Sequence, residues 1–247
     1  TIQKEFKISG IGLHTATKVN ITFKPAEIDS GIRFVRSDLP GRPVIAAKVE
    51  NLLSQDRSHR RTSIGKDGAE VHTIEHLMAA LSGQGIDNIY VEIDNQEVPG
   101  FDGSSNAFIE AITKAGIKEQ DKERQYYIIK EPVFMEEDGA SIMAVPAQEL
   151  KVSYTLSYDH PLLKIQFKEV CLNQDIFKNE IAPARTFCLE EEAGELQRKG
   201  IGSGASYENT LVVGKNGVIN NTLRFDDEFV RHKILDLLGD LYVLGQP

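Results

Sequence analysis

The sequence of 247 residues predicts an α+β fold in two halves, on three observations. Strand-like alternation and two helical patterns fill the first part. The polar run KEQDKER, at 118–124, interrupts them, and afterwards strands resume before a long amphipathic helix closes the chain. The expected boundaries are 1–117 for the first half and 125–247 for the second.

Taken in order, VNITFKP sets Val19, Ile21 and Phe23 at the period of a half-buried strand, and IYVEID does the same with Ile89, Val91 and Ile93. Thr73 is placed to N-cap a helix through LMAALS, stopped at Gly83 and Gly85. Ser104 or Ser105 is placed to open a second, NAFIEAITKAG, ended by Gly116. In the second half YYIIKEPVF, ASIMAVPA, LKVSYTLSY and KIQFKEV read as four strands, with Val152, Tyr154, Leu156 and Tyr158 alternating. RTFCL, the helical EEEAGELQRKG and the hairpin-like TLVVGKNGVIN suggest a βαβ-type excursion. The last helix is expected from Asp226 or Asp227 to about Leu244.

Composition narrows the function. With 40% hydrophobic residues the chain can bury a substantial core, and no run approaches the ~18 apolar residues of a membrane span. The N-terminus lacks the apolar core of a secretory signal, so a cytoplasmic protein is expected. A net charge of −9 argues against a nucleic-acid surface and leaves a small molecule as the expected partner. Cys171 and Cys188 are too few for a disulfide framework and lack zinc-finger spacing.

Two stretches carry chemistry. HTIEH, residues 72–76, matches H-x-x-E-H, the inverted zinc protease signature, in which both histidines bind zinc from one helix face. If Thr73 caps the helix, however, His72 precedes it, leaving His76 as a ligand with Glu75 beside it. Ile74, Leu77, Met78 and Leu81 then form the apolar face. In FVRHKILDLLGDL, His232, Asp236 and Asp240 recur at i, i+4 and i+8 on one stripe, with Val230, Ile234, Leu237, Leu238 and Leu241 on the other side. His232 and Asp236 with His76 give three protein ligands and one open position, the pattern of catalytic zinc, and Asp240 is placed as an outer acceptor. His14, His59 and His160 read as turn, packing or loop residues.

These residues resemble the zinc-dependent UDP-3-O-acyl-N-acetylglucosamine deacetylases of lipid A biosynthesis in Gram-negative bacteria. The resemblance runs through SGIGLHTATKV, HTIEHLMAALSGQGIDNIYVEI, EVPGFDGSS, DHP, ARTF and RFDDEFVRHKILDLLGDLY, in that order. It implies two similar β-α-α-β halves packed helix face to helix face, each with an insert, and a site between them. It further implies His76, His232 and Asp236 as Zn2+ ligands and Glu75 as general base. Lys233 and Asp240 would support the substrate and the proton-transfer group, Thr186 would hold the oxyanion, and Phe187 would contact substrate. The insert at about 184–222 would form the acyl-chain passage. The expected reaction is hydrolysis of the N-acetyl group, releasing acetate. The family continues into a strand and helix carrying a Gly-His pair, whose histidine is the general acid or electrostatic stabiliser. This chain ends at Pro247, so that element is expected to be missing from the second half. Two other classes stay open: an inverted-motif zinc protease using His72, and an inactive truncated relative acting as a binding module.

Overall fold

The computed structural model describes residues 1–247. The chain is a mixed α+β protein whose first part is built on a five-stranded sheet. Its strands are β1 (Phe6–Ile11), β2 (Lys18–Pro25), β3 (Ile32–Arg36) and β4 (Val44–Ala46), joined by a fifth from later in the chain. A separate hairpin of β5 (Ser63–Lys66) and β6 (Ala69–His72) leads into helix α1 (Glu75–Gly83). β7 (Ile89–Ile93) returns to the sheet between β2 and β3, giving the order β1-β2-β7-β3-β4. It pairs antiparallel with β2 and parallel with β3. The alternation read in VNITFKP and IYVEID is the inner face of this sheet: Val19, Ile21, Phe23, Ile89, Val91 and Ile93 are fully buried.

Helix α2 (Asn106–Ala115) follows and buries Phe108, Ile109 and Ile112. The hairpin β8 (Val133–Glu137) and β9 (Ala140–Ala144) comes next, then the hairpin β10 (Lys151–Ser157) and β11 (Ile165–Cys171). The strand expected over YYIIKEPVF starts only at Val133. Pro132 has no N–H for a ladder, and Tyr126, Tyr127 and Ile128 before it are exposed without a partner strand. The strand over ASIMAVPA likewise stops at Ala144, two residues before Pro146. A short helix, α3 (Gln174–Ile176), runs into a π-helical turn over Phe177–Ile181. β12 (Phe187–Leu189) and β13 (Leu211–Gly214) pair in parallel around α4 (Glu190–Arg198), and β14 (Gly217–Ile219) closes a hairpin on β13. Helix α5 (Glu228–Leu241) ends in a 3-10 turn, Tyr242–Leu244.

α1 and α5 pack against each other and bring the two chemical stretches together. α1 is buried from Glu75 through Leu81, whereas α5 buries Val230, Ile234, Leu235 and Leu238 and keeps Asp240 and Leu241 partly open. Gly239 permits the contact: a Cβ there would strike the Glu75 carbonyl oxygen and the Ala79 amide nitrogen, so any larger residue pushes the helices apart at the site. No helix is long and apolar enough to cross a membrane.

Candidate metal centre and its cavity

The turn between β6 and α1 decides which histidine reaches the helix contact. Thr73 adopts a left-handed φ of 57° and its hydroxyl donates to Glu97 Oε1 at 3.0 Å, so it does not cap α1 as the sequence predicts. Glu97 is fully buried and also accepts from the His14 and Thr15 backbone N–H groups and the Thr15 hydroxyl. One carboxylate therefore ties the His14 loop to the entrance of α1. The two serines open α2 as expected: Ser105 holds the N-cap position and the Ser104 hydroxyl accepts the Asn106 N–H at 3.2 Å, while the Ser105 hydroxyl donates to the His76 carbonyl at 2.8 Å.

His72 closes β6, opposite Ser63 on β5. Its Nδ1 lies 2.9 Å from the Ser63 hydroxyl and its Nε2 3.2 Å from Glu70. Both ring nitrogens are thus engaged within the hairpin, away from the cluster of His76, His232 and Asp236. His76, the second residue of α1, faces α5 instead.

There His76 Nε2 lies 3.5 Å and His232 Nε2 3.3 Å from the same oxygen, Asp236 Oδ1. The three ligand atoms fall within 4.8 Å of one another, and the two imidazoles meet edge to face at 5.0 Å between centroids. Asp236 Oδ1 is buried with no hydrogen-bond partner. A buried carboxylate oxygen without a donor, aimed between two imidazole nitrogens, fits a divalent cation, and two nitrogens with one oxygen suit zinc. His232 Nδ1 is 3.1 Å from the Ala184 carbonyl, and a proton on Nδ1 donated there leaves Nε2 free as a ligand. Lys233 Nζ reaches Asp236 Oδ2 at 3.0 Å.

The protonation pattern follows from these contacts. Burial drives His232 down to about 4, so its imidazole is neutral. Burial opposes charge on His76 too, but the Asp236 carboxylate facing it outweighs burial and raises the pKa. Asp236 is itself held far below the usual carboxylate range, burial being overcome by His232 and Lys233. Glu75 behaves oppositely: burial lifts its carboxyl to about 7, where a carboxylate exchanges protons readily near neutral pH. Although Asp240 is open on one side, partial loss of water around its carboxyl in the cavity, with the Asp236 charge, raises it to about 6.

All the site residues expected from the sequence line one cavity of about 980 Å³: Glu75, His76, Thr186, Phe187, His232, Lys233, Asp236 and Asp240. Thr186 is fixed by its backbone. Its N–H donates to Gly103 O at 2.8 Å, and Gly103 holds a left-handed φ of 82° where a Cβ would run into the Asn209 carbonyl. Phe187 stacks edge to face on Phe229 at 4.9 Å, with Lys233 Nζ 5.6 Å from its ring centre. The cavity continues along apolar residues including Leu53, Leu196, Ile201 and Val212.

Sequence reasoning missed several contributors. His14, expected to be a turn or packing residue, lines the cavity and accepts the Gly202 N–H on Nδ1 at 3.2 Å. Thr62 contacts Glu75 and Asp240. Arg185 and Glu228 form a buried ion pair, Nε to Oε1 2.8 Å, that locks the ARTF segment to the start of α5. No spacing pattern announces such partners, because each bond joins distant stretches of chain.

Across residues 1–247 the chain matches the family model described as LpxC, UDP-3-O-acyl N-acetylglycosamine deacetylase. It belongs to this family. Among its relatives, a UDP-3-O-acyl-N-acetylglucosamine deacetylase of Citrifermentans bemidjiense is 44% identical over 99% of this chain and 80% of the relative. One from Thermodesulfovibrio yellowstonii is 42% identical over 100% of this chain and 83% of the relative, and one from Bdellovibrio bacteriovorus is 39% identical over 100% and 81%. Family membership makes the chain a deacetylase of lipid A biosynthesis, an enzyme acting on an N-acetyl group.

Proposed function

We propose that this chain is a zinc-dependent hydrolase that removes the N-acetyl group of UDP-3-O-acyl-N-acetylglucosamine, giving acetate and the free amine. The observation that carries the reading is the convergence of His76, His232 and the unpartnered Asp236 Oδ1 on one point, beside Glu75, in a cavity that runs on into apolar lining. Relatives whose names give this reaction support the choice of substrate.

In this reading His76, His232 and Asp236 hold the metal. Zinc bound there supplies a Lewis acid and a water whose pKa falls toward about 7. Glu75 takes the proton of the attacking water and returns it to the nitrogen as the C–N bond breaks, a task suited to a carboxyl whose burial raises its proton affinity. The Thr186 hydroxyl donates to the oxygen that turns negative as the carbonyl carbon becomes tetrahedral. Lys233 brings positive charge to the same end of the cavity, and Phe187 packs against the bound substrate. The apolar residues of the 184–222 segment, Leu196, Ile201 and Val212 among them, take the acyl chain. We also read the chain as two halves of similar topology, 1–117 and 125–247, meeting at the α1–α5 contact, and place the enzyme in the cytoplasm.

The test measures bound zinc and acetate release together. The expectation is about one zinc per chain and acetate formed in step with free amine from the acetylated sugar nucleotide. A zinc-loaded chain that releases no acetate from it rejects the substrate.

A further inference from the structure

One residue outside both chemical stretches touches both of the helices that carry them. Thr62 immediately precedes β5 and lines the cavity. Its carbonyl accepts the Ile74 N–H at 3.1 Å, which fastens it to the residue before α1. Its own N–H donates to Glu75 Oε2 at 3.0 Å, and its hydroxyl donates to Asp240 Oδ1 at 2.5 Å. Glu75 projects from α1 and Asp240 from α5, so these two carboxylates have no covalent reason to keep a fixed separation. Thr62 is the shared donor that gives them one.

The consequence for Glu75 is directional. With Oε2 tied to a backbone N–H, the carboxyl group cannot rotate freely, and Oε1, which takes no hydrogen bond from the protein, is the oxygen left to accept a proton. For Asp240, the short hydroxyl bond keeps one oxygen turned toward β5 and the other free for a group in the cavity.

We propose that Thr62 is a positioning residue for the deacetylation: its backbone N–H aims Glu75, its hydroxyl aims Asp240, and the hairpin it opens thereby sets the geometry of both acidic groups. The inference rests on the hydrolytic reading given above and adds to it a residue hydrogen-bonded to none of the three proposed metal ligands. It also assigns the β5–β6 hairpin a part in the site, although no strand of that hairpin belongs to the main sheet.

Thr62→Val and Thr62→Ser separate the two bonds. Both keep the backbone N–H to Glu75; only Ser keeps a hydroxyl for Asp240. In the full chain loaded with zinc, Thr62→Val is expected to lower kcat on the order of 10-fold, with KM within about 2-fold, and Thr62→Ser to restore most of the loss. Zinc content and thermal midpoint stay with the wild type in both. Independently of turnover, the carboxyl-carbon NMR resonance of Asp240 should shift in Thr62→Val and return in Thr62→Ser, while that of Glu75 stays put. Unchanged kcat and an unmoved Asp240 resonance in Thr62→Val overturn the proposal. So does a loss shared equally by Ser and Val, or one that tracks zinc or the midpoint. A wild-type chain that binds zinc yet leaves the sugar nucleotide intact rejects the hydrolytic reading instead, and the Asp240 resonance still decides whether Thr62 holds that carboxylate.

Discussion

His72 and His76 belong to one five-residue motif, yet they serve different regions of the molecule. His72 ends the β5–β6 hairpin and bonds Ser63 across it; His76 lies in the first turn of α1 and faces Asp236 on α5. Both are buried. The left-handed Thr73 between them swings the chain from strand to helix, so the two rings part. Their protonation parts as well: burial and the nearby Arg61 push His72 down to about 4, whereas Asp236 raises His76 despite its burial. The lesson is that H-x-x-E-H spacing describes a metal site only when both histidines lie in the same helix.

The comparison is broken most directly at its metal side. His76→Ala or His232→Ala removes one of the three proposed ligands, and bound zinc is expected to fall from about one per chain to near zero, with loss of measurable turnover. Metal analysis after dialysis against a weak chelator reads this. Retention of zinc in His76→Ala would move the centre away from α1.

Next in size is Glu75→Gln, the neighbour of His76 that is expected to act on protons rather than on metal. Zinc stays, and kcat drops on the order of 10²- to 10⁴-fold. Burial raises the Glu75 carboxyl to about 7, and only its ionised form accepts a proton. As pH falls through that region the base is lost, so kcat/KM rises with pH toward neutrality. A bound cation beside the carboxylate draws the limb below 7 without reversing its sign. A wild-type profile without an acid limb, measured over the range in which zinc stays bound, removes Glu75 from the proton transfer.

How much of this was legible follows from the kind of signal each feature leaves. α1, α2 and α5 announce themselves through apolar period, and the i, i+4, i+8 stripe on α5 needs only helix geometry to bring His232, Asp236 and Asp240 to one side. The central strands β2 and β7 are equally readable. β3 through β6 are not, being three to five residues long with little alternation, as in VIA and SIGK. Thr73 looked like a cap because Thr before an apolar helix usually is one. A buried carboxylate from residue 97 took its hydroxyl instead, and nothing local to HTIEH records that. Thr62 and Glu228 are illegible for the same reason, since their partners lie at residues 240 and 185.

Glu228 gives a prediction of intermediate size on the α5 side. It is fully buried and accepts from the Arg185 guanidinium, the Arg185 N–H and the Arg224 N–H. Glu228→Ala leaves Arg185 buried and unpaired, at a cost of about 3–5 kcal/mol. Because the adjoining Ala184 carbonyl contacts His232 Nδ1, the variant should also bind zinc more weakly. Chemical denaturation and a metal-competition titration measure the two effects. Lost stability with wild-type zinc affinity would show that the ARTF segment does not orient the ligand.

The smallest effect is expected at His72, and it sharpens the comparison because the residue differs from His76 in placement, not in type. His72→Ala removes the bond to Ser63 Oγ and leaves that buried hydroxyl without the partner it has across the hairpin. The expected cost is about 1–3 kcal/mol of stability, read as a lower thermal midpoint. Zinc should stay near one per chain, since neither His72 nitrogen approaches Asp236 and the three ligand atoms lie elsewhere. His72→Asn, which can still meet the Ser63 hydroxyl, should recover part of the midpoint with zinc again unchanged. If His72→Ala instead sheds its metal at a temperature where it is fully folded, His72 is a ligand, the inverted-motif protease geometry returns, and the turn at Thr73 no longer explains why two histidines of one motif take separate roles.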